Sequence, residues 1–153
     1  MNYHFIWIPK YRRKILRCEV KKMLEHLIKE ECKKHSWDCL ALEVMPDHIH
    51  LFLSAPPTWQ PSKIINLLKG RTSRELRLRY PWLKRLYTGY WKQYPNLWAR
   101  GYYCGTAGHV STEQVIRYIL EQEKQEAFNY SIFQGENKKP DSQSTLDNWR
   151  SAT

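Results

Sequence analysis

The sequence predicts an α+β fold, a ferredoxin-like βαββαβ antiparallel sheet with helices on one face, followed by one further C-terminal helix. Three observations predict it. Period-2 and period-3.6 apolar patterns alternate in the order strand, helix, strand, strand, helix, strand, helix. Turn-forming residues punctuate the joins at Pro46-Asp47 and Pro56-Pro57. A chain of 153 residues, 42% of them hydrophobic, suits one core and one main domain.

Tyr3 to Ile8 is aromatic and branched and reads as the first strand. A basic run, Lys10 to Lys14, follows. Glu19 to His35 places Val20, Met23, Leu24, Leu27 and Ile28 at amphipathic helical spacing. Asp38 to Met45 alternates, with Leu40, Leu42 and Val44 on one side. His48 to Ser54 alternates again across the Pro46-Asp47 turn, so the two segments form a hairpin. Pro61 stands where a helix begins, and Ile64, Ile65, Leu68 and Leu76 carry that helix to just before Pro81. Gly70 interrupts it and marks a bend or break. Trp82 to Asn96 reads as irregular, and Leu97 to Cys104 as the fourth strand. Ser111-Thr112-Glu113-Gln114 resembles a capping box that opens a last helix through Val115 and Ile119 to about Phe128. The domain is expected over residues 1–130, and residues 131–153 read as a polar, flexible tail.

Lys and Arg number 25 against 15 Asp and Glu, a formal net charge of +10. Such a surplus points to a polyanionic partner. From Lys63 to Lys92 nine basic residues meet one acid, Glu75, with Tyr80, Trp82, Tyr87, Tyr90 and Trp91 interleaved. Cations neutralise phosphates and aromatic faces stack on unpaired bases, so this region is the candidate nucleic-acid surface. No stretch has the length of a membrane span, and the apolar start is halted by Pro9 and basic residues, unlike a signal peptide. A cytoplasmic protein with no membrane partner is expected. Cys18, Cys32, Cys39 and Cys104 form no CxxC pair and read as small residues, buried or half-buried.

Two constellations carry chemistry. In the segment Asp47 to Leu53, alternation turns Ile49, Leu51 and Leu53 to the helices and leaves His48 and His50 together on the opposite face. Two imidazoles so placed reach one metal ion; two ordinary surface histidines on a strand would read the same way. On the last helix Tyr118 and Gln122 are spaced i, i+4 and stack on one face. Tyr118 falls roughly 130° from the middle of the stripe formed by Val115, Ile116, Ile119 and Leu120. Spacing alone does not bring this helix to the histidines.

Three blocks, Met45-Pro46-Asp47-His48-Ile49-His50-Leu51, Leu68 to Ser73 and Val115 to Gln122, resemble the signature blocks of the single-tyrosine HUH transposases of insertion sequences, the IS200-like TnpA group. The opening Tyr3-His4-Phe5-Ile6-Trp7 with Lys10-Tyr11-Arg12-Arg13, and Tyr102 to Thr106, resemble the same family. The resemblance spans roughly Met1 to Lys124 and implies a cytoplasmic, nucleoid-associated DNA transposase. It implies that Tyr118 is the nucleophile and that His48, His50 and Gln122 hold Mg2+ or Mn2+. It implies cleavage and rejoining of single-stranded DNA through a 5′-phosphotyrosine intermediate, at element ends folded as hairpins. It implies a homodimer, in which the tyrosine helix of one subunit can serve the histidines of the other.

Lys10, Arg12, Arg13, Lys69, Arg71 and Arg74 are the candidate DNA contacts. The REP-associated tyrosine transposases share much of this pattern. Two further readings compete. A non-catalytic single-stranded nucleic-acid-binding module predicts binding without metal-dependent nicking. A nuclease using water predicts that no protein–DNA adduct forms.

Overall fold

A computed structural model of the chain describes residues 1–86, 96–105 and 111–133. Its strands are β1 (Asn2–Trp7), β2 (Asp38–Met45), β3 (His48–Ser54) and β4 (Tyr103–Gly105). Its helices are α1 (Cys18–Lys34), α2 (Pro61–Arg79), the short α3 (Pro81–Leu86) and α4 (Thr112–Phe133), with a single 3-10 turn at Lys10–Arg12. The sheet order is β2-β3-β1-β4 and every pairing is antiparallel, as the ferredoxin-like reading requires.

The main core lies between one sheet face and α1 with α2. Phe5 and Trp7 of β1, and Ile49, Leu51 and Leu53 of β3, meet Leu24, Leu27 and Ile28 of α1 and Ile64, Ile65, Leu68 and Leu76 of α2. Alternation explains this directly, because residues two apart on a strand share a face. Helix α1 stops where Ser36 takes a left-handed φ of 58°. There the Trp37 N–H donates to the Cys32 carbonyl and the Ser36 N–H to the Lys33 carbonyl, which satisfies two end carbonyls in a Schellman arrangement.

The second sheet face is not wholly open. Val115, Ile116 and Ile119 of α4 pack on Ile6, Ile8 and Ala99 in a separate apolar cluster. The C-terminal helix therefore covers the β1 side of the face that carries the histidines.

Four local expectations are corrected. Leu40 does not share a side with Leu42 and Val44. The β2–β3 register shifts between Cys39 and Ala41, a bulge that leaves Leu40 55% exposed. Gly70 does not break α2, which runs unbroken from Pro61 to Arg79 because the buried stripe on either side of the glycine holds it. Residues 81–86 are helical, not irregular. The expected strand from Leu97 to Cys104 is only an isolated Pro9–Trp98 bridge and the short β4. The Lys69 ammonium takes the carbonyls of Ala99 and Arg100, and the ladder lapses between the bridge and β4.

Helix α4 begins at Thr112, next to the expected cap Ser111, whose carbonyl accepts from the Val115 N–H at 3.1 Å. It runs on to Phe133, past the expected end at Phe128. Tyr87, Tyr90, Trp91, Lys92, Thr106 and the expected tail from residue 134 lie outside the described residues. Among the described residues, no helix is long and apolar enough to cross a membrane. Cys32 is buried and Cys39 and Cys104 are half-buried, but Cys18 is exposed, at the first residue of α1.

Candidate functional site

His48 and His50 open β3 immediately after the Pro46-Asp47 turn, on the face away from α1 and α2. Their ring centroids are 5.1 Å apart and the rings are nearly perpendicular, at 76°. Each ring is held at Nδ1. His48 Nδ1 lies 2.7 Å from Asp47 Oδ1, and His50 Nδ1 lies 3.1 Å from His4 Nε2. Nε2 is the remaining nitrogen on both rings. Burial lowers the His50 pKa, and the charges of His48 and His4 lower it further; burial also lowers that of His4. Neutral imidazole is the form that ligates a metal. The donor set therefore fits a divalent cation through two imidazole nitrogens.

Asp47 is itself anchored. Arg12 Nε donates to Asp47 Oδ2 at 2.9 Å, while Arg12 Nη2 and Nη1 donate to Glu113 Oε1 and Oε2 at 2.6 and 3.3 Å. The hydrogen bond with His48, together with the Arg12 cation, outweighs burial and holds the Asp47 carboxyl below its ordinary range. The Arg12 side chain gets there through an unusual backbone. Tyr11 and Arg12 both have left-handed φ, 61° and 52°. Such non-glycine conformations cost about 1–2 kcal/mol per residue. The buried Tyr11 side chain and the two Arg12 carboxylate pairs hold them in place. Arg12 thus joins the first turn of α4 to the turn that presents His48.

Tyr118 and Gln122 form a second pair. Gln122 Nε2 donates to Tyr118 Oη at 2.9 Å, and Tyr118 is 64% exposed. Tyr118 lines a groove of about 360 Å³ with Tyr102, Tyr103, Cys104, Gln114 and Val115. Helix α4 reaches the histidines only at its start, where Thr112 Oγ1 is 3.5 Å from His50 Nε2. From Thr112 to Tyr118 the helix rises about 9 Å. β3, which carries the histidines, and β4, beside the Tyr118 groove, are two strand spacings apart, roughly 10 Å. The structure thus brings His48 to His50 and Tyr118 to Gln122. Among the described residues no hydrogen bond or ring contact joins the two pairs within one chain.

The basic candidates divide. Arg74 is exposed on α2. Arg71 bonds to Glu30 at 2.8 Å and pairs with Glu31. Arg12 bridges two carboxylates, and the half-buried Arg13 has its guanidinium carbon 5.7 Å from the centre of the Tyr11 ring. Lys10 and Lys69 correct the expectation of surface cations, since they are only 5% and 7% exposed. The Lys69 Nζ donates to the Ala99 and Arg100 carbonyls at 2.7 and 3.0 Å.

Sequence reasoning did not single out His4, Thr112 or Glu113, nor give Asp47 a role beyond its turn. One signal was available. His4 is a lone polar residue inside the apolar run Tyr3 to Ile8, where strand alternation puts it on the face opposite Phe5. The contacts of Arg12 with Asp47 and Glu113 cross 35 and 101 residues of chain and leave no local trace.

Comparison with known proteins places these features in a family context. The family description "Transposase IS200 like" matches residues 1–122. The ISDra2 transposase TnpA of Deinococcus radiodurans is 34% identical over 127 residues, covering 82% of this chain and 86% of that protein. The transposase for insertion sequence element IS200 of Salmonella typhimurium is 31% identical over 125 residues, covering 80% and 79%. A crystal structure of a transposase from Deinococcus radiodurans R1 superposes with a TM-score of 0.68 at 33% identity, covering 80% of this chain and 90% of that one. A REP-associated tyrosine transposase bound to a REP hairpin shares the fold, with a TM-score of 0.51 at 17% identity over 77% and 61% of the two chains.

Proposed function

The chain belongs to the IS200-like transposases, and we propose that it cuts and rejoins single-stranded DNA through a covalent bond to Tyr118. The observation that best supports this reading is the His48–His50 pair, with both Nδ1 atoms held and His50 Nε2 engaged only by a long 3.5 Å contact with Thr112 Oγ1 among the described residues. We propose Mg2+ or Mn2+ as the ion, held by His48 and His50 with Gln122 as third ligand. When bound, it would supply charge stabilisation to the scissile phosphate.

The covalent step is balanced at phosphorus. Tyr118 Oη attacks, the bond from phosphorus to the 3′ oxygen breaks, and a 5′-phosphotyrosine forms. The phenol proton departs and the leaving 3′ oxygen ends as a hydroxyl. A second 3′-hydroxyl then attacks the same phosphorus and releases Tyr118, so the strand is resealed without a nucleotide. The arrangement of α4 supports a homodimer. Tyr118 and Gln122 are exposed together, away from their own chain's histidines, so α4 serves the histidines of the second copy. Single-stranded DNA with hairpin ends is the proposed substrate, and the hairpin held by the REP-associated relative supports it.

Denaturing gels with labelled single-stranded hairpin ends and Mn2+ test the reading. The wild-type chain should yield a covalent adduct, and Tyr118→Phe should yield none while still binding DNA. Mixing Tyr118→Phe with His50→Ala should restore about a quarter to a half of the cleavage, because one composite site in a mixed dimer is intact. Cleavage by Tyr118→Phe alone would point to water as nucleophile, and no cleavage by any form would leave a binding module.

A further inference from the structure

His4 belongs to β1, opposite Phe52 in the β1–β3 register, on the face that carries His48 and His50. Its ring stacks on Phe52 at 4.1 Å and 9°, and the edge of Tyr103 closes it from β4 at 5.8 Å and 79°. These contacts aim His4 Nε2 at His50 Nδ1, 3.1 Å away. The other nitrogen, His4 Nδ1, is buried with no hydrogen-bond partner among the described residues. A third histidine beside a metal pair would ordinarily read as a third ligand. Here its Nε2 is turned to a neighbouring ring instead.

We propose that His4 is a positioning residue for His50, accepting the Nδ1–H of that ring so that Nε2 is the nitrogen presented to the divalent cation. The proposal rests on the metal reading above and deepens it. A neutral imidazole carries one N–H, so a lone pair at His50 Nε2 requires the proton at Nδ1. His4 Nε2 is then the acceptor and the His4 proton sits at Nδ1. The alternative arrangement has the His4 Nε2–H donating to His50 Nδ1, and the His50 Nε2–H turned to Thr112 Oγ1 at 3.5 Å. The two arrangements hold the same number of protons and differ only in tautomer. In the first, the buried His4 Nδ1–H has no acceptor among the described residues, so a cation at His50 Nε2 would favour that arrangement. The outer partner of a ligating histidine fixes its ring orientation and basicity, and losing such a partner weakens metal binding about 10–100-fold.

Electron paramagnetic resonance of free Mn2+, titrated against the full-length protein, provides the test, with thermal unfolding run on each variant. Wild type should bind Mn2+ and His48→Ala should not. His4→Phe keeps a ring over Phe52 but loses the acceptor, and should bind Mn2+ about 10–100-fold more weakly with an unchanged melting temperature. His4→Gln, whose amide reaches the same position, should recover most of the affinity. Should the phenyl ring disturb folding, His4→Leu supplies a second apolar replacement of different shape. Mn2+ affinity equal to wild type in a folded His4→Phe or His4→Leu protein would overturn the proposal. So would equal weakening in His4→Gln, which would assign His4 a packing role. If wild type and His48→Ala bind Mn2+ alike, the metal reading itself falls and the His4 proposal with it.

Discussion

Replacing Lys69 by Met separates a structural cation from a DNA-binding one. Lys69 lies in the block Leu68 to Ser73, amid the basic run that the sequence marks as a DNA surface. In the fold it is 7% exposed and its ammonium bonds to the carbonyls of Ala99 and Arg100. Hydrogen bonds to a charged group contribute about 1.5–3 kcal/mol each, so the two together give about 3–6 kcal/mol. Desolvating the ammonium costs several kcal/mol, and Met removes that cost while filling nearly the same space. The net loss comes to about 2 kcal/mol. For a chain of this size that lowers the melting temperature by about 4–8 °C.

Arg74, exposed five residues further along the same helix, supplies the contrast. Arg74→Ala should change stability by less than about 0.5 kcal/mol. If Arg74 contacts a phosphate, the slope of log affinity against log salt for a single strand should become shallower by about 0.7. Thermal melts, with anisotropy titrations of a labelled single-stranded hairpin at several salt concentrations, read both quantities. Lys69→Met should melt lower and keep the wild-type slope. A Lys69→Met protein that melts normally but loses about 0.7 of slope would refute the reasoning and return Lys69 to the DNA surface.

Two further predictions concern the scaffold. Burial pushes the Glu31 carboxyl up, but its hydrogen bonds with Arg71 and His35 outweigh that and leave it below the ordinary value. A depressed folded pKa contributes stability that is complete above the unfolded value, near about 4.3. It is lost as pH falls through the folded value, because the unfolded chain takes the proton first. Urea unfolding from pH 7 down to pH 3 should therefore show a shallower acid loss in Glu31→Gln than in wild type, and parallel curves would contradict the assignment. Gly70 is helical, and a methyl group built there meets nothing within 4 Å. Gly70→Ala should raise stability by about 0.4–1 kcal/mol in urea titrations, whereas a loss would mean that the helix needs to bend there.

Much of this protein was legible because it is local. Apolar periodicity alone separates the strand face of Ile49, Leu51 and Leu53 from that of His48 and His50, and all three aliphatic residues are fully buried. The same geometry put Tyr118 off the apolar stripe and beside Gln122. What failed was local evidence with a distant competitor. Leu40 kept its apolar character but lost its place to a bulge. The strand expected over Leu97 to Cys104 was cut by a lysine from another helix. Lys10 and Lys69 have the charge of surface residues and the burial of core ones.

By itself, the sequence determined the order of elements apart from α3, the face of the histidines and the pairing of Tyr118 with Gln122, since each follows from a repeat of two or 3.6 residues. Only the tertiary structure decided that His4 meets His50 and that Arg12 bridges Asp47 and Glu113. It alone laid α4 across β1, with no contact between Tyr118 and its own histidines among the described residues. Those contacts arise where separate elements meet, and periodicity within one element carries no information about its distance from another.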